Sequence, residues 1–313
     1  MSALYQAATR IRNGLYDRGT LRSVAASIPV VSVGNLAVGG SGKTPVSAWI
    51  ATELQHRGAH PAMVMRGYGG DEPRVHALLN PDAAVIVNAD RVAGVHEAAA
   101  RGADVAVLDD AFQHRRISRN EDIVLVSADG WREPLRVLPS GPWRELPRAL
   151  ARASLLMITR KAVGVEVAED LVNRLTPLTR TGEGAVMALE LGELRNAVTA
   201  EARPLSDVSG SKVLLVAGIA NPESLVRQMR RTNAYIDVRT FPDHHAYGST
   251  DITWLAQEAR TFDHIVCTLK DAVKLGPRWP REAPPLWYVS LRCRIESGSK
   301  VVSAMLDRVL AAR

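Results

Sequence analysis

Ile28-Pro-Val-Val-Ser-Val-Gly34-Asn35-Leu-Ala37-Val38-Gly39-Gly40-Ser41-Gly42-Lys43-Thr44-Pro45 is the stretch from which the rest of the chain is read. Its first half is an apolar run bounded by Gly34 and Asn35, the pattern of a buried strand. Its second half is rich in glycine, and beyond it Val46, Trp49, Ile50 and Leu54 share one face of a helix. A strand entering a glycine-rich turn that leaves through a helix is a ready site for an anion. Glycines let backbone N–H groups turn toward phosphate oxygens, and the helix N-terminus adds positive potential. Lys43 can then reach β- and γ-phosphates and the Thr44 hydroxyl can ligate Mg²⁺. The segment reads as a phosphate-binding P-loop made of Ala37, Val38, Gly39, Gly40, Ser41, Gly42, Lys43 and Thr44. It departs from the usual G-x-x-x-x-G-K-[ST] spacing at one point, because Ala37 occupies the first glycine position. Pro45 is tolerated, since the first helical turn has spare N–H groups. The competing reading is a glycine-rich turn with an exposed lysine.

Outward from this loop the pattern repeats. Apolar, strand-like runs occur at 61–65, 83–87, 105–108, 123–126 and 155–159, with helix-like stretches such as 91–101 between several of them. Strands alternating with helices imply βαβ units and a mainly parallel sheet. Continuous apolar runs suit strands covered on both faces. A run at 185–191 is followed by a polar stretch to Ser211, and a second α/β series then begins, with strand-like runs at 213–217, 235–240, 265–268 and 287–291. The expected division is a P-loop domain over 1–182 and a smaller α/β domain over 183–313. Ahead of the P-loop strand, residues 2–22 read as an amphipathic helix. Leu4, Ala8, Ile11 and Leu15 form one stripe, beside the basic Arg10, Arg12, Arg18 and Arg22.

Composition narrows the class. The 313 residues suffice for two domains, with 46% hydrophobic and 23% charged residues, a balance typical of a folded globular protein. Aromatic residues are only 5%, so the core must be aliphatic. A net charge of +6 suits polyanionic partners: nucleic acid, anionic lipid or phosphorylated substrates. Basic runs without interleaved aromatic residues argue against nucleic acid. Cys267 and Cys293 lie far apart with no C-x-x-C, so a disulfide framework or zinc site is not expected, and a reducing compartment fits. No apolar run approaches the ~18–20 residues needed to span a bilayer, and no signal-peptide pattern opens the chain. Contact with a membrane is therefore expected only at its surface.

Further polar residues gather at strand ends. Val105-Ala-Val-Leu108 runs into Asp109 and Asp110, a usual partner of a P-loop, where a carboxylate can hold Mg²⁺. Gln113 and His114 follow at once, at the C-terminal strand edge where ligands bind in open α/β sheets. Asp243-His244-His245 follows the strand at 235–240 and could handle a proton or ligate a metal, or could simply be an exposed loop. Asp90-Arg91 follows the strand at 83–87 and could be no more than a helix cap.

Taken together these residues resemble a family. The segment from Val33 to Pro45 is similar to the P-loop of tetraacyldisaccharide 4′-kinases, whose loop also lacks the first glycine. Arg66-Gly-Tyr-Gly69, Asp109-Asp-Ala-Phe-Gln-His114, Gly141-Pro-Trp-Arg-Glu145, Gly218-Ile-Ala-Asn-Pro222, Phe241-Pro-Asp-His-His245 and Lys270-Asp-Ala-Val-Lys274 resemble family motifs in the same order, over roughly residues 10 to 300. Ala111 stands where the family usually has Gly, and Leu269 where it usually has Glu. The resemblance implies transfer of the ATP γ-phosphoryl group to the 4′-hydroxyl of a tetraacylated glucosamine disaccharide 1-phosphate, giving a lipid A precursor. It implies two α/β/α domains, P-loop NTPase-like and smaller Rossmann-like, joined by a two-stranded linker with the site between them. By position it implies ATP and Mg²⁺ at Lys43 and Thr44, and metal-site roles for Asp109 and Asp110. It pairs Asp90 with His244 to activate the acceptor hydroxyl and lines the cleft with Tyr68, Gln113, His114, Arg144 and Glu145. It also implies a peripheral protein on the cytoplasmic face of a bacterial inner membrane. Its partners would be the lipid and the membrane surface, with no obligate protein partner. His244 would come from the second domain and Lys43 from the first, so domain closure is expected.

The alternative within the P-loop class is a GTPase-like switch or metallochaperone, since Thr268-Leu-Lys270-Asp271 faintly matches a guanine-reading loop. A switch would hydrolyse GTP slowly without an acceptor, whereas a lipid kinase would need its lipid.

Overall fold

The apolar runs form strands, and the order of those strands is what brings the phosphate loop and the acidic strand end together. In this computed structural model the described residues are 1–67 and 70–313. They divide into two compact units, the first comprising 1–67, 76–188 and 295–313, the second 70–75 and 189–294.

In the first unit, α1 (Ser2–Asp17) precedes β1 (Val30–Asn35), α2 (Lys43–His56), β2 (Pro61–Met65), the second half of α3 (Glu72–Leu79), β3 (Ala84–Val87), α4 (Arg91–Ala100), β4 (Val105–Asp109), β5 (Glu121–Ser127), β6 (Leu155–Arg160), α5 (Val165–Leu175) and the start of β7 (Gly184–Asn196). The strand order is β7-β6-β5-β1-β4-β2-β3, with parallel pairing throughout. Every residue of β1, β2 and β4 is buried. That is why these strands read as unbroken apolar runs: helices cover both faces of the sheet. The core is aliphatic, as the scarcity of aromatic residues requires, with Val30, Val64, Ile86, Leu108 and Ile117 in one cluster. On β1, Val33 is in register with Asp109 of β4, so the strand feeding the loop and the strand ending in acids finish side by side.

The second unit holds the rest of β7, then β8 (Ala202–Arg203), β9 (Lys212–Ala217), α6 (Pro222–Arg230), β10 (Tyr235–Thr240), α7 (Ser249–Glu258), β11 (His264–Thr268), α8 (Leu269–Leu275) and most of β12 (Leu286–Ser297). Here β10, β9, β11 and β12 run parallel in that order, and β8 pairs antiparallel with β7. β10 is an edge strand, which explains its half-exposed, alternating pattern.

Two elements differ from the sequence expectation. The first helix stops at Asp17, where Gly19 adopts a positive φ of 72°. The expected second domain ran to residue 313, whereas residues 295–313 cluster with the first unit. The physical reason is α9 (Ser299–Ala311), which buries Val302, Met305, Leu306 and Val309 and pairs Arg308 with Glu121 and Glu183. β7 and β12 are thus the two strands along which the chain passes from one unit into the other.

Candidate active site

The loop between β1 and α2 is held by its neighbours. Gly39 and Gly42 have φ of 97° and 85°, a backbone state that side chains rarely adopt. Asn35 Nδ2 donates to Ser41 Oγ at 2.8 Å, Thr159 Oγ1 to the Ser41 carbonyl at 2.8 Å, and Lys161 Nζ to the Gly40 carbonyl at 3.2 Å. Ala37 makes an isolated antiparallel bridge with Trp143. Its backbone is therefore extended, and the position does not need glycine. Lys43 and Thr44 open α2, and Lys43 Nζ lies 3.9 Å from Asp110 Oδ1.

Asp109 closes β4 and is 3% exposed, with its Oδ2 2.9 Å from Nε2 of the fully buried His76. Asp110 turns the chain with a φ of 51°, a strain typical of functional sites. Arg144 clamps it with two hydrogen bonds of 2.9 and 3.1 Å. Because Asp110 takes the left-handed state, the following Ala111 has no need of glycine's freedom, and its methyl is fully buried in the core. Gln113 donates to the Asn35 carbonyl and to Glu145, and Glu145 also accepts from Arg152 and from Asn13 of α1. Lys43, Asp109, Asp110, Gln113, Arg144 and Glu145, named from sequence, are thus gathered around the loop. His114 sits beside them, pushed down to about 4 by burial and by the nearby guanidinium groups of Arg91 and Arg119. Its ring is neutral near pH 7.

In the second unit Gly218, Thr268 and Tyr247 converge on Asp271, which is fully buried. Its carboxylate accepts from the Gly218 amide at 3.1 Å, Thr268 Oγ1 at 2.7 Å and Tyr247 Oη at 2.9 Å. Gly218 must be glycine here, because a Cβ would stand 2.7 Å from Asp271 Oδ1. An Asp271 so committed cannot read a guanine edge, which removes the basis of the switch reading. Lys274 Nζ lies 3.6 Å from Asp71 Oδ2, and Asp71 Oδ1 is 2.9 Å from His244 Nδ1. His244, like Asp110, has a positive φ, of 58°.

Within this unit His244 meets Asp71, whereas the sequence reading pairs it with Asp90 of the first unit. Asp90 is the N-cap of α4, accepting from the Val92 amide at 3.0 Å and from Arg116 at 2.8 Å. Although desolvation opposes it, those two donors hold its carboxyl below the ordinary range. A carboxylate stabilised in this way is a weaker base. Asp71 was missed although it lies two residues beyond Arg66-Gly-Tyr-Gly69, and Pro73 marks the helix start it precedes. Tyr68, expected in the cleft, lies outside the described residues.

A parallel sheet whose first strand enters a glycine-rich turn, with Lys43 and Thr44 opening the next helix and Asp109 ending the neighbouring strand, defines a P-loop nucleotide-binding protein. Within that class, the family profile described as Tetraacyldisaccharide-1-P 4′-kinase matches residues 1–82 and 69–311. The chain is 35% identical to the tetraacyldisaccharide 4′-kinase of Anaeromyxobacter dehalogenans, over 99% of this chain and 89% of that protein. It is likewise 35% identical to the tetraacyldisaccharide 4′-kinase of Halorhodospira halophila, over 99% of this chain and 93% of that one. Among solved structures, the "apo" form of LpxK from Aquifex aeolicus in complex with ATP aligns with a TM-score of 0.77 and 25% identity, covering 98% of this chain and 96% of that one. The chain belongs to the tetraacyldisaccharide-1-P 4′-kinase family.

Proposed function

We propose that this protein transfers the γ-phosphoryl group of ATP to the 4′-hydroxyl of a tetraacylated glucosamine disaccharide 1-phosphate, forming a lipid A precursor. The observation that carries the reading is a phosphate loop beside Asp109 and Asp110 in a chain 35% identical to a tetraacyldisaccharide 4′-kinase along 99% of its length. The new bond joins the sugar oxygen to the γ-phosphorus, the bond from that phosphorus to the β–γ bridging oxygen breaks, and ADP leaves. The hydroxyl proton passes to a base. We assign that role to His244, with Asp71 accepting from Nδ1 so that Nε2 is the basic nitrogen. Lys43 and Arg144 counter the charge that develops on the phosphoryl oxygens.

The donors present fit Mg²⁺. Thr44 offers a hydroxyl in the first turn of α2, and Asp109 a buried carboxylate on the strand paired with β1. Mg²⁺ usually binds through one or two such oxygens plus substrate phosphates. Bound there, it would neutralise phosphate charge. Asp110 was also expected to ligate metal, but its carboxylate is clamped by Arg144. We assign it to holding Arg144 and Lys43 at the loop.

No described helix is long and apolar enough to cross a membrane. We propose that the protein acts as a peripheral enzyme on the cytoplasmic face of a bacterial inner membrane, through α1. The test is incubation with ATP, Mg²⁺ and the tetraacyl disaccharide 1-phosphate, followed by mass analysis of the lipid. One added phosphate is expected. Lys43→Ala should lower turnover by ~10²-fold or more, the scale of losing an electrostatic donor. Turnover within a few-fold of wild type, or steady GTP hydrolysis without lipid, would overturn the reading.

A further inference from the structure

His76 has no role in the reading above. It lies on α3 with Val75, and both are buried, at 0% and 2% exposure. A polar ring in such a place needs a reason. Its Nε2 meets Asp109 Oδ2 at 2.9 Å, and its Nδ1 is buried with no hydrogen-bond partner among the described residues. A carboxylate oxygen can only accept, so the proton of this hydrogen bond sits on Nε2. One nitrogen of the ring is thus satisfied and the other is not. For packing alone a leucine would fill the site without burying an unsatisfied polar atom. What the imidazole adds is a directional donor on the one carboxylate that ends the strand beside the phosphate loop.

We propose that His76 is a positioning residue for Asp109. Its Nε2–H fixes rotation of the carboxylate about its Cβ–Cγ bond, so that Asp109 meets a divalent cation in a set orientation. The inference rests on Asp109 being the Mg²⁺ carboxylate of the proposed kinase. Hydrogen bonds to ligating carboxylates typically change metal affinity by about 10–100-fold when removed.

The experiment is titration of the full chain with Mn²⁺ in the presence of a non-hydrolysable ATP analogue, following loss of the free Mn²⁺ paramagnetic resonance signal. His76→Leu removes the donor, His76→Gln restores one at nearly the reach of Nε2, and Asp109→Asn removes the carboxylate. The expected result is strong loss of Mn²⁺ binding in Asp109→Asn, weakening by about 10–100-fold in His76→Leu, and recovery of most of it in His76→Gln. Loss in Asp109→Asn with wild-type binding in His76→Leu would overturn the inference and leave the kinase reading intact. Wild-type binding in Asp109→Asn would overturn the metal role of Asp109 and the inference with it. Equal impairment in the Leu and Gln variants would show that His76 only fills space. If His76→Leu does not fold, His76→Asn replaces it, because its amide stops short of Asp109. Weak binding in Asn with recovery in Gln supports the role of the donor, and equal binding in the two overturns it.

Discussion

At the scale of single residues, the function of an aspartate here is decided by what it accepts from. Asp90 accepts from a backbone amide and a guanidinium; Asp71, 1% exposed, accepts from His244 and lies beside Lys274. If Asp71 and His244 act as one base, their losses should not multiply, because groups that work as a unit are non-additive. Turnover by Asp71→Ala/His244→Ala is expected to be scarcely lower than that of the worse single variant. Asp90→Ala is expected to lower stability modestly through the lost cap, with turnover per folded molecule close to wild type. Strictly multiplicative losses, or an Asp90→Ala turnover as low as that of His244→Ala, would return the role to Asp90. The contrast also shows what the sequence carries. Lys43, Thr44, Asp109 and Asp110 could be proposed from sequence because loop and strand end are local patterns with a physical meaning of their own. The contact of His244 with Asp71 could not, because the two sit 173 positions apart in sequence. Only the fold can bring such residues together. His76 was illegible for a related reason, since one histidine on a short helix carries no sign of the carboxylate it meets.

At the scale of elements, strands with both faces covered betray themselves by continuous apolar runs, and β1, β2, β4 and β6 were all readable in this way. Where a sheet edge is half exposed the signal alternates instead, as in β10. The element that periodicity did not place is α9. Its amphipathic stripe says that it packs on something, but not on which unit. The structure docks it on the first, with Arg57 bonded to Asp307 and Arg313 to Asp104 in addition to the Arg308 pairs. The solvent-facing pairs of Arg57 and Arg313 contribute little, about 0–1 kcal/mol each. The buried stripe therefore dominates, and Leu306, 1% exposed, is at its centre. Leu306→Ala is expected to destabilise the protein by about 2–5 kcal/mol in denaturant unfolding, whereas Asp307→Ala should change stability by less than about 1 kcal/mol. Equal effects would mean that the ion pairs, not the apolar stripe, dock the helix.

At the scale of the whole molecule, a chain with net charge +6, none of whose described helices is long and apolar enough to cross a membrane, must reach an acceptor sugar anchored by acyl chains. The orientation of α1 offers the means. A surface helix normally turns its apolar stripe to the core. Here Leu4 and Ile11 are 76% and 65% exposed and Ala8 is exposed between them, while Leu15, the last residue of the stripe, is half-buried. The polar side faces the first unit instead. Asn13 donates to Glu145, Arg12 to the Gln113 carbonyl, and Arg115 to the Asn13 carbonyl and Asp17. Leu4, Ala8 and Ile11 are therefore not packed on the first unit. Arg10, Arg18 and Arg22 are exposed near the same helix, each worth about 1 kcal/mol at an anionic surface before screening. Leu4 and Ile11 add about 1.5–3 kcal/mol each if buried among acyl chains. Deleting the helix would also strip Glu145 and Gln113 of partners, so point variants separate the two effects better. Leu4→Ser/Ile11→Ser is expected to weaken sedimentation with anionic vesicles by ~10²-fold or more and to raise the apparent KM for vesicle-borne lipid. The melting temperature and kcat on detergent-dispersed lipid should stay near wild type, because the hydrogen-bonded inner face is untouched. High salt should weaken vesicle binding of both proteins through the arginines. Undiminished vesicle binding by the double variant at low salt would place the membrane contact elsewhere on the molecule.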